Sequence, residues 1–247
     1  MYGIESAKPI LLDTDSIYAI LYQQKKEMRK YIPVPHIYDK FFKLCENTNG
    51  EITGRKGYLY AGFYNENQVY YVDDTQVIDA IYYKSPYKIG DILYVKETFC
   101  YTNGGCEVIP KEWALRHEMD VENMSWKTAV HMKKNDSRIF LKIKNVRVER
   151  LQNMPHDAPL KEGIYFECCS CKYTWKAPVK GMFSGQIDSR FLYTTPMSAM
   201  SAMWNFGIKS DIAEKEWDAN PWVFVYEFEV IHKNDLIQCS NESEKQI

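Results

Sequence analysis

The alternation of apolar and polar residues predicts a chain dominated by β-strands. The clearest period-two segments lie at residues 91–101, 139–148 and 222–229, and the short apolar run at residues 8–12 also predicts a strand. After Ile143 the apolar phase slips to Val146, because two successive positions between them are polar. Such a slip predicts a β-bulge near Asn145.

Apolar residues at helical spacing predict four helices, beginning near residues 14, 35, 155 and 196. Asp13 or Thr14 is suited to cap the first helix, and Gly163 to stop the third. The basic run at residues 25–30 (KKEMRK) is typical of a solvated turn. Residues 58–72 predict a hairpin that turns at residues 65–67.

Composition sets limits on the partners of this chain. It has 247 residues, 45% of them hydrophobic, and a net charge of −2. A protein that follows a long phosphate backbone usually carries a large positive excess, so long duplex DNA is not an expected partner. The sequence has no apolar run that could span a membrane and no leader peptide, which predicts a cytoplasmic protein. We expect one domain over residues 1–237 and a flexible tail at residues 238–247.

The seven cysteines favour reduced thiols over a disulfide framework. The spacing of Cys168 and Cys171 is that of half a zinc site, which needs four ligands. Cys100 and Cys106, or His131 as a substitute, would have to complete it. Idle thiols are the favoured interpretation, and we expect no other cofactor.

Glu97 is the most informative ionisable residue on these strands. Period two places it on the same face as Leu93, Val95 and Phe99. A carboxylate in apolar surroundings needs a cation or hydrogen-bond donor, or its pKa rises by desolvation.

Several motifs occur in order along nearly the whole chain: GDILYVKETF at residues 90–99, SRI at residues 137–139, VRVERL at residues 146–151 and NPWV at residues 220–223. Together they resemble the ASCH domain of the bacteriophage and prophage type, a member of the PUA-like superfamily. The resemblance implies an α+β fold, a mixed β-barrel with flanking helices. Relative to it, residues 102–135 and 165–190 are predicted insertions.

The resemblance also supplies a catalytic hypothesis. In ASCH amidohydrolases that act on N4-acetylcytidine, the proposed catalytic groups are a lysine, a threonine and a glutamate. These positions fall on Lys25, Met28 and Glu97. A thioether cannot attack an amide carbonyl, so we expect no turnover unless another residue, such as Thr98, supplies the hydroxyl. If the protein is an enzyme, Lys25 and Glu97 are the expected catalytic residues.

Without the threonine hydroxyl, the remaining residues of the expected pocket are predicted to bind a ligand but not to hydrolyse it. If the family geometry holds, one pocket collects cations for phosphate or carbonyl oxygens, a carboxylate for an exocyclic amine and rings for stacking. The expected ligand-binding residues are Lys25, Arg29, Lys30, Tyr94, Glu97, Arg138 and Trp222. The alternative is structural: Lys25 and Glu97 form a buried ion pair, and Arg138 and Arg150 pair elsewhere.

The favoured function is therefore a pocket that holds a nucleobase, a nucleotide-derived small ligand or a short unpaired RNA without turnover. In a phage protein this function includes sequestering a nucleotide immune signal in the host cytoplasm. Two alternatives stay open: an amidohydrolase on an acylated nucleoside, and an RNA-binding protein or nuclease. The sequence leaves the oligomeric state open.

Overall fold

A computed structural model describes residues 4–22, 25–35, 40–44, 59–72, 75–102, 108–169, 172–176, 193–208 and 213–236. Its strands are β1 (Lys8–Leu11), β2 (Glu27–Tyr31), β3 (Lys40–Leu44), β4 (Tyr60–Val72), β5 (Thr75–Lys84), β6 (Ile92–Lys96), β7 (Phe99–Tyr101), β8 (Val108–Pro110), β9 (Phe140–Arg150), β10 (Tyr165–Cys169), β11 (Lys172–Lys176) and β12 (Trp222–Ile231). The α-helices are α1 (Thr14–Tyr22), α2 (Lys111–Arg116), α3 (Ala158–Lys161) and α4 (Pro196–Gly207).

The main sheet has five strands in the order β1-β6-β9-β12-β2. β1 and β6 are parallel, and the other neighbours are antiparallel, so the sheet is mixed. β9 and β12 occupy the centre and pair along their whole lengths. The strands predicted at both of these positions are confirmed.

A bulge in β9 confirms the predicted phase slip. Asn145 pairs with Glu227 and Ile143 with Phe228, so Lys144 is the additional residue. Because of this extra residue, Ile143 and Val146 both pack against the main core.

The main core lies on one face of the five-stranded sheet. The three-stranded sheet β3-β4-β5 contributes Ala61 and Phe63 to it, and α1 contributes Ile17 and Ile20. A second core covers the opposite face of β12 with residues from α3 and α4. The fold is therefore α+β, as predicted. The described strands do not close into a barrel, since β1 and β2 are the two edges of the main sheet.

Three of the predicted helices are present, and local chemistry explains their ends. The Asp13 carboxylate accepts a hydrogen bond from the Ser16 amide at 2.7 Å, which caps α1. Gly163 follows α3 with φ of 93°, a conformation that glycine adopts without strain. Thr195 caps α4 through a capping box with Ser198. The methionines Met197, Met200 and Met203 of α4 pack in the second core.

Three predictions were wrong. The basic run is not a turn but leads into β2, where the charged side chains of Glu27 and Arg29 are buried among ion pairs. The helix expected from Pro35 is replaced by β3, which pairs with β4. The hairpin expected around residues 65–67 is the continuous strand β4, with an irregularity between Tyr64 and Val69.

Other predictions remain untested. In the described part of the expected insertion at residues 102–135 the structure has β8 and α2. In that of the expected insertion at residues 165–190 it has the hairpin β10-β11. The predicted tail at residues 238–247 lies outside the described residues. The one-domain organisation stays a prediction.

Candidate functional site

The end of β6 brings together two carboxylates and one guanidinium. β6 ends at Lys96, and β9 runs antiparallel beside it, so Glu97 lies next to Arg138. Arg138 donates from Nε and Nη2 to the two oxygens of Glu97, at 3.0 and 3.1 Å. The same Nη2 donates to Glu112 of α2 at 2.7 Å. We call these three residues the Arg138 cluster.

The Arg138 cluster is buried on its acidic side and open on its basic side. The side chains of Glu97 and Glu112 are 2% and 1% exposed, whereas that of Arg138 is 30% exposed. Burial raises the pKa of Glu97; Arg138 counteracts this rise, and Glu112 adds to it. Two carboxylates therefore share one guanidinium in surroundings poor in water.

Two polar atoms of the cluster have no hydrogen-bond partner within the described part of the chain. Nη1 of Arg138 makes no bond, although Nε and Nη2 are fully engaged. Oε1 of Glu112 is buried and also makes none. The arrangement is thus a guanidinium held in a fixed plane, with one donor edge left for a ligand.

Two aromatic rings paired with cations belong to segments whose backbone flanks the Arg138 cluster. Lys111 follows β8, and its amide donates to the carbonyl of Thr98 at 2.8 Å. Lys127 exchanges backbone hydrogen bonds with Phe99. Their ammonium groups lie 5.7 Å from the Trp126 ring centroid and 4.6 Å from the Tyr101 ring centroid, respectively.

The exposed side of α2 adds further rings and cations to the pairs of Lys111 with Trp126 and Lys127 with Tyr101, and we call this set the aromatic and cationic rim. The guanidinium of Arg116 lies 3.9 Å from the ring centroid of Tyr22 on α1. Trp113 stacks on His117 at 3.9 Å, and both Trp113 and Tyr22 are exposed large side chains. Basic and aromatic groups thus face outward from a helix whose one acidic side chain, Glu112, points into the cluster.

Lys25 lies in a different cluster. Its ammonium donates to Oε2 of Glu162 at 2.6 Å and to the Glu162 carbonyl at 2.9 Å. Arg29 donates to the other oxygen of that carboxylate at 2.7 Å. Glu162 terminates α3, so these cations fasten α3 to the edge strand β2.

This second cluster continues across the sheet as a network of ion pairs. Arg29 also contacts Glu149 and Glu27, at 2.9 and 3.2 Å. Arg147 contacts Glu27 and Glu149 at 3.1 and 3.0 Å, and binds Glu227 as well. Burial lowers the pKa of Arg29, but Glu162 and Glu149 outweigh it, so the pKa is raised overall. We call this set the β2–α3 network.

The predicted convergence of Lys25 and Glu97 is therefore wrong. β9 and β12 lie between β6 and β2 in the sheet, and each of the two charges has its own nearer partner. The structural alternative, an ion pair between Lys25 and Glu97, is also wrong, because Lys25 pairs with Glu162 and Glu97 pairs with Arg138.

Met28 does not share a pocket with Lys25. Successive residues of a strand point to opposite faces, and Arg29 belongs to the β2–α3 network. Met28 packs on the other face, against the main core, and pairs with Tyr226 of β12. The position of the expected nucleophile is thus a packing position.

Trp222 is far from the Arg138 cluster. It pairs with Arg150 at the other end of β9, roughly 30 Å from Phe140 at the usual rise per residue. The Arg150 guanidinium lies 4.4 Å from the Trp222 ring centroid, where a stacked ligand would have to lie. The adjoining cleft, also lined by Tyr31 and Pro35, has a volume of about 40 Å³, enough for a few water molecules.

The remaining expected ligand residues are also separate. Tyr94 packs with Ile92 and Phe140 in a small cluster, on the face of β6 opposite Leu93. Lys30 is exposed on β2. Of the seven expected residues, the contacts join Glu97 to Arg138 and Lys25 to Arg29 through Glu162.

The zinc hypothesis is largely outside the described residues. Cys106 and Cys171 are not described, and nothing can be said of the Cys168 side chain. Cys100 is a buried free thiol, and burial raises its pKa. Among the described residues, no group of three or more His, Cys, Asp or Glu side chains is placed to hold a metal ion.

Sequence reasoning missed Glu112 and Glu162. For Glu162 a signal existed, because an acidic residue at the end of a helix opposes the helix dipole and so calls for a cation. For Glu112 we find none, since it lies in a short segment whose period predicts no structure.

Comparison with known proteins does not assign the chain to a family. No family model, no curated protein and no solved structure matches the chain. In the described residues, no helix combines the length and apolar character needed to cross a bilayer.

Proposed function

We propose that this protein binds a nucleobase or nucleotide-derived small ligand at the Arg138 cluster and does not turn it over. The observation that carries the proposal is the open Nη1 edge of Arg138, on a guanidinium held by buried Glu97 and Glu112. A preorganised donor of this kind fits the carbonyl oxygen or ring nitrogen of a base.

The ASCH resemblance supports the proposal through Glu97 and Arg138, which both lie within its motifs. We infer an open, PUA-like arrangement of the main sheet, of the phage ASCH type, in which this end of β6 is the ligand end. The inference that the ligand is a nucleotide immune signal belongs to the same proposal.

The position of Met28 supports the proposed absence of turnover. Its side chain packs against the main core, and Lys25 is bound to Glu162. Neither group of the family's amidohydrolase set is therefore available beside Glu97.

The test is equilibrium binding of cytidine, uridine, guanosine and adenosine by calorimetry. We expect at least one nucleoside to bind, and Arg138→Lys to weaken it tenfold or more, because an ammonium cannot keep both the Glu97 bonds and an outward donor. Arg150→Lys is the matched control, since it makes the same change at the far end of β9. No binding by the wild type, or equal binding by both variants, refutes the proposal.

A short unpaired RNA is the second candidate, favoured by the aromatic and cationic rim. Rings such as Trp113 can stack bases, and Lys111 and Lys127 can meet phosphates. Oligonucleotide affinity should then fall steeply with added salt, whereas the affinity of a single nucleoside should change little. A flat salt dependence for both ligands argues against this candidate.

A further inference from the structure

We propose that Glu112 sets the specificity of the Arg138 cluster: it selects an uncharged ligand edge that carries a carbonyl beside an N–H, and it excludes free anions such as phosphate. This inference rests on the proposed function but concerns a residue that the family resemblance does not include.

The first argument is charge. One guanidinium faces two carboxylates, Glu97 and Glu112, both closed to solvent. An anion bound at the open edge of Arg138 would meet two negative charges that water screens poorly. A neutral carbonyl oxygen accepts the same hydrogen bond without that repulsion.

The second argument is the unpartnered oxygen. Oε1 of Glu112 is buried and accepts no hydrogen bond from the described residues, a costly state for a carboxylate. The other oxygen of the same carboxyl lies 2.7 Å from Nη2 of Arg138. The unpaired donor and the unpaired acceptor thus belong to the two partners of one ion pair.

A donor next to an acceptor fits an edge with the opposite order. A lactam edge has a carbonyl oxygen beside an N–H, as in the O4/N3 edge of uracil and the O6/N1 edge of guanine. Its N–H would give Oε1 the partner that it lacks. Because Arg138 is the member of the cluster that reaches the surface, the ligand has to enter beside its guanidinium.

The decisive experiment uses inorganic phosphate and three proteins at constant ionic strength. Glu112→Gln keeps the shape of the side chain and removes its charge. Glu118→Gln removes one charge from the exposed turn after α2, outside the cluster, and is the control. We expect phosphate to raise the melting temperature of Glu112→Gln and to leave the wild type and Glu118→Gln unchanged.

The same response to phosphate in all three proteins, or a response in none, overturns the inference. If Glu112→Gln does not fold, Glu97→Gln removes the equivalent charge from the same cluster and takes its place. This measurement needs no nucleoside. It therefore tests the role of Glu112 even if the wild type binds no nucleoside and the proposed function fails.

A second measurement compares uridine with 3-methyluridine, in which a methyl group replaces the hydrogen on N3, the nitrogen between the two carbonyls. If the wild type binds uridine, we expect the methylated ligand to bind at least tenfold more weakly. Equal affinity for the two ligands would show that Glu112 does not accept a hydrogen bond from the ligand N–H. It would refute the specificity that we assign to this residue.

Discussion

The Lys25 ammonium lies 2.6 Å from the Glu162 carboxylate, and both side chains are almost closed to solvent. This pair explains why a lysine from a basic run is not available as a ligand group. It joins the chain after α1 to the end of α3, two segments separated by 137 positions in sequence.

Lys25→Met should destabilise the fold by about 3–5 kcal/mol, because it leaves Glu162 buried with one cation fewer. Urea unfolding measures this loss. Lys161→Met is the control on the same network: its side chain is 43% exposed, so we expect a loss of about 1 kcal/mol or less. If Lys25→Met instead keeps full stability and abolishes nucleoside binding, Lys25 is a ligand residue after all.

Met28→Thr restores the hydroxyl of the amidohydrolase pattern and should not restore activity. The new side chain would face the main core, and the lost packing should cost about 2 kcal/mol or more. Chromatography of N4-acetylcytidine after incubation measures turnover. Hydrolysis by Met28→Thr that disappears on adding Glu97→Gln would show that the two positions do converge.

Stability should depend on pH through Glu97. Burial raises its folded pKa above the ordinary value of 4.5, so the folded state holds the proton more tightly than the unfolded chain does. The contribution of Glu97 to stability is thus lost as the pH rises from 4.5 through the folded pKa. We expect the stability of the wild type minus that of Glu97→Gln to fall over this window, measured by urea unfolding at several pH values. A difference that does not vary with pH would contradict the raised pKa.

Trp222→Phe should leave nucleoside binding unchanged. Trp222 and the Arg138 cluster lie at opposite ends of β9, and the ring of Trp222 is covered by Arg150. The calorimetric titration proposed for Arg138→Lys is the measurement. A tenfold loss of affinity in Trp222→Phe would place both residues in one pocket, as the sequence had suggested.

Much of the fold was predictable because local patterns and tertiary packing agree. The bulge at Lys144, the cap of α1 by Asp13 and the closing strand β12 follow from residues that are neighbours in sequence. In each case the same residues that carry the pattern also make the contact.

The predictions failed where burial depends on partners distant in sequence. Glu27 and Arg29 look like surface charges, yet the side chain of each is only 1% exposed, because residues of β9 and the end of α3 neutralise them. A polar strand that is buried by ion pairs lacks the alternation of apolar residues from which a strand is predicted.

The same reason limits the site prediction. Period two correctly placed Glu97 among apolar residues, and its need for a cation followed. Choosing Arg138 over Lys25 as that cation required the register of β6 against β9, which no local pattern gives.

Lys144 has one more consequence. Ile143 and Val146 both turn inward only because one extra residue separates the two halves of β9. If Lys144 instead joined the regular ladder, the second half of β9 would turn over, which would move the charges of Arg147 and Glu149 into the main core and turn Val146 and Val148 out to water. Deleting Lys144 would leave Ile143, Val146 and Val148 in strict alternation on the core face, so we expect the shortened strand to keep its pairing with β12 and the protein to remain folded.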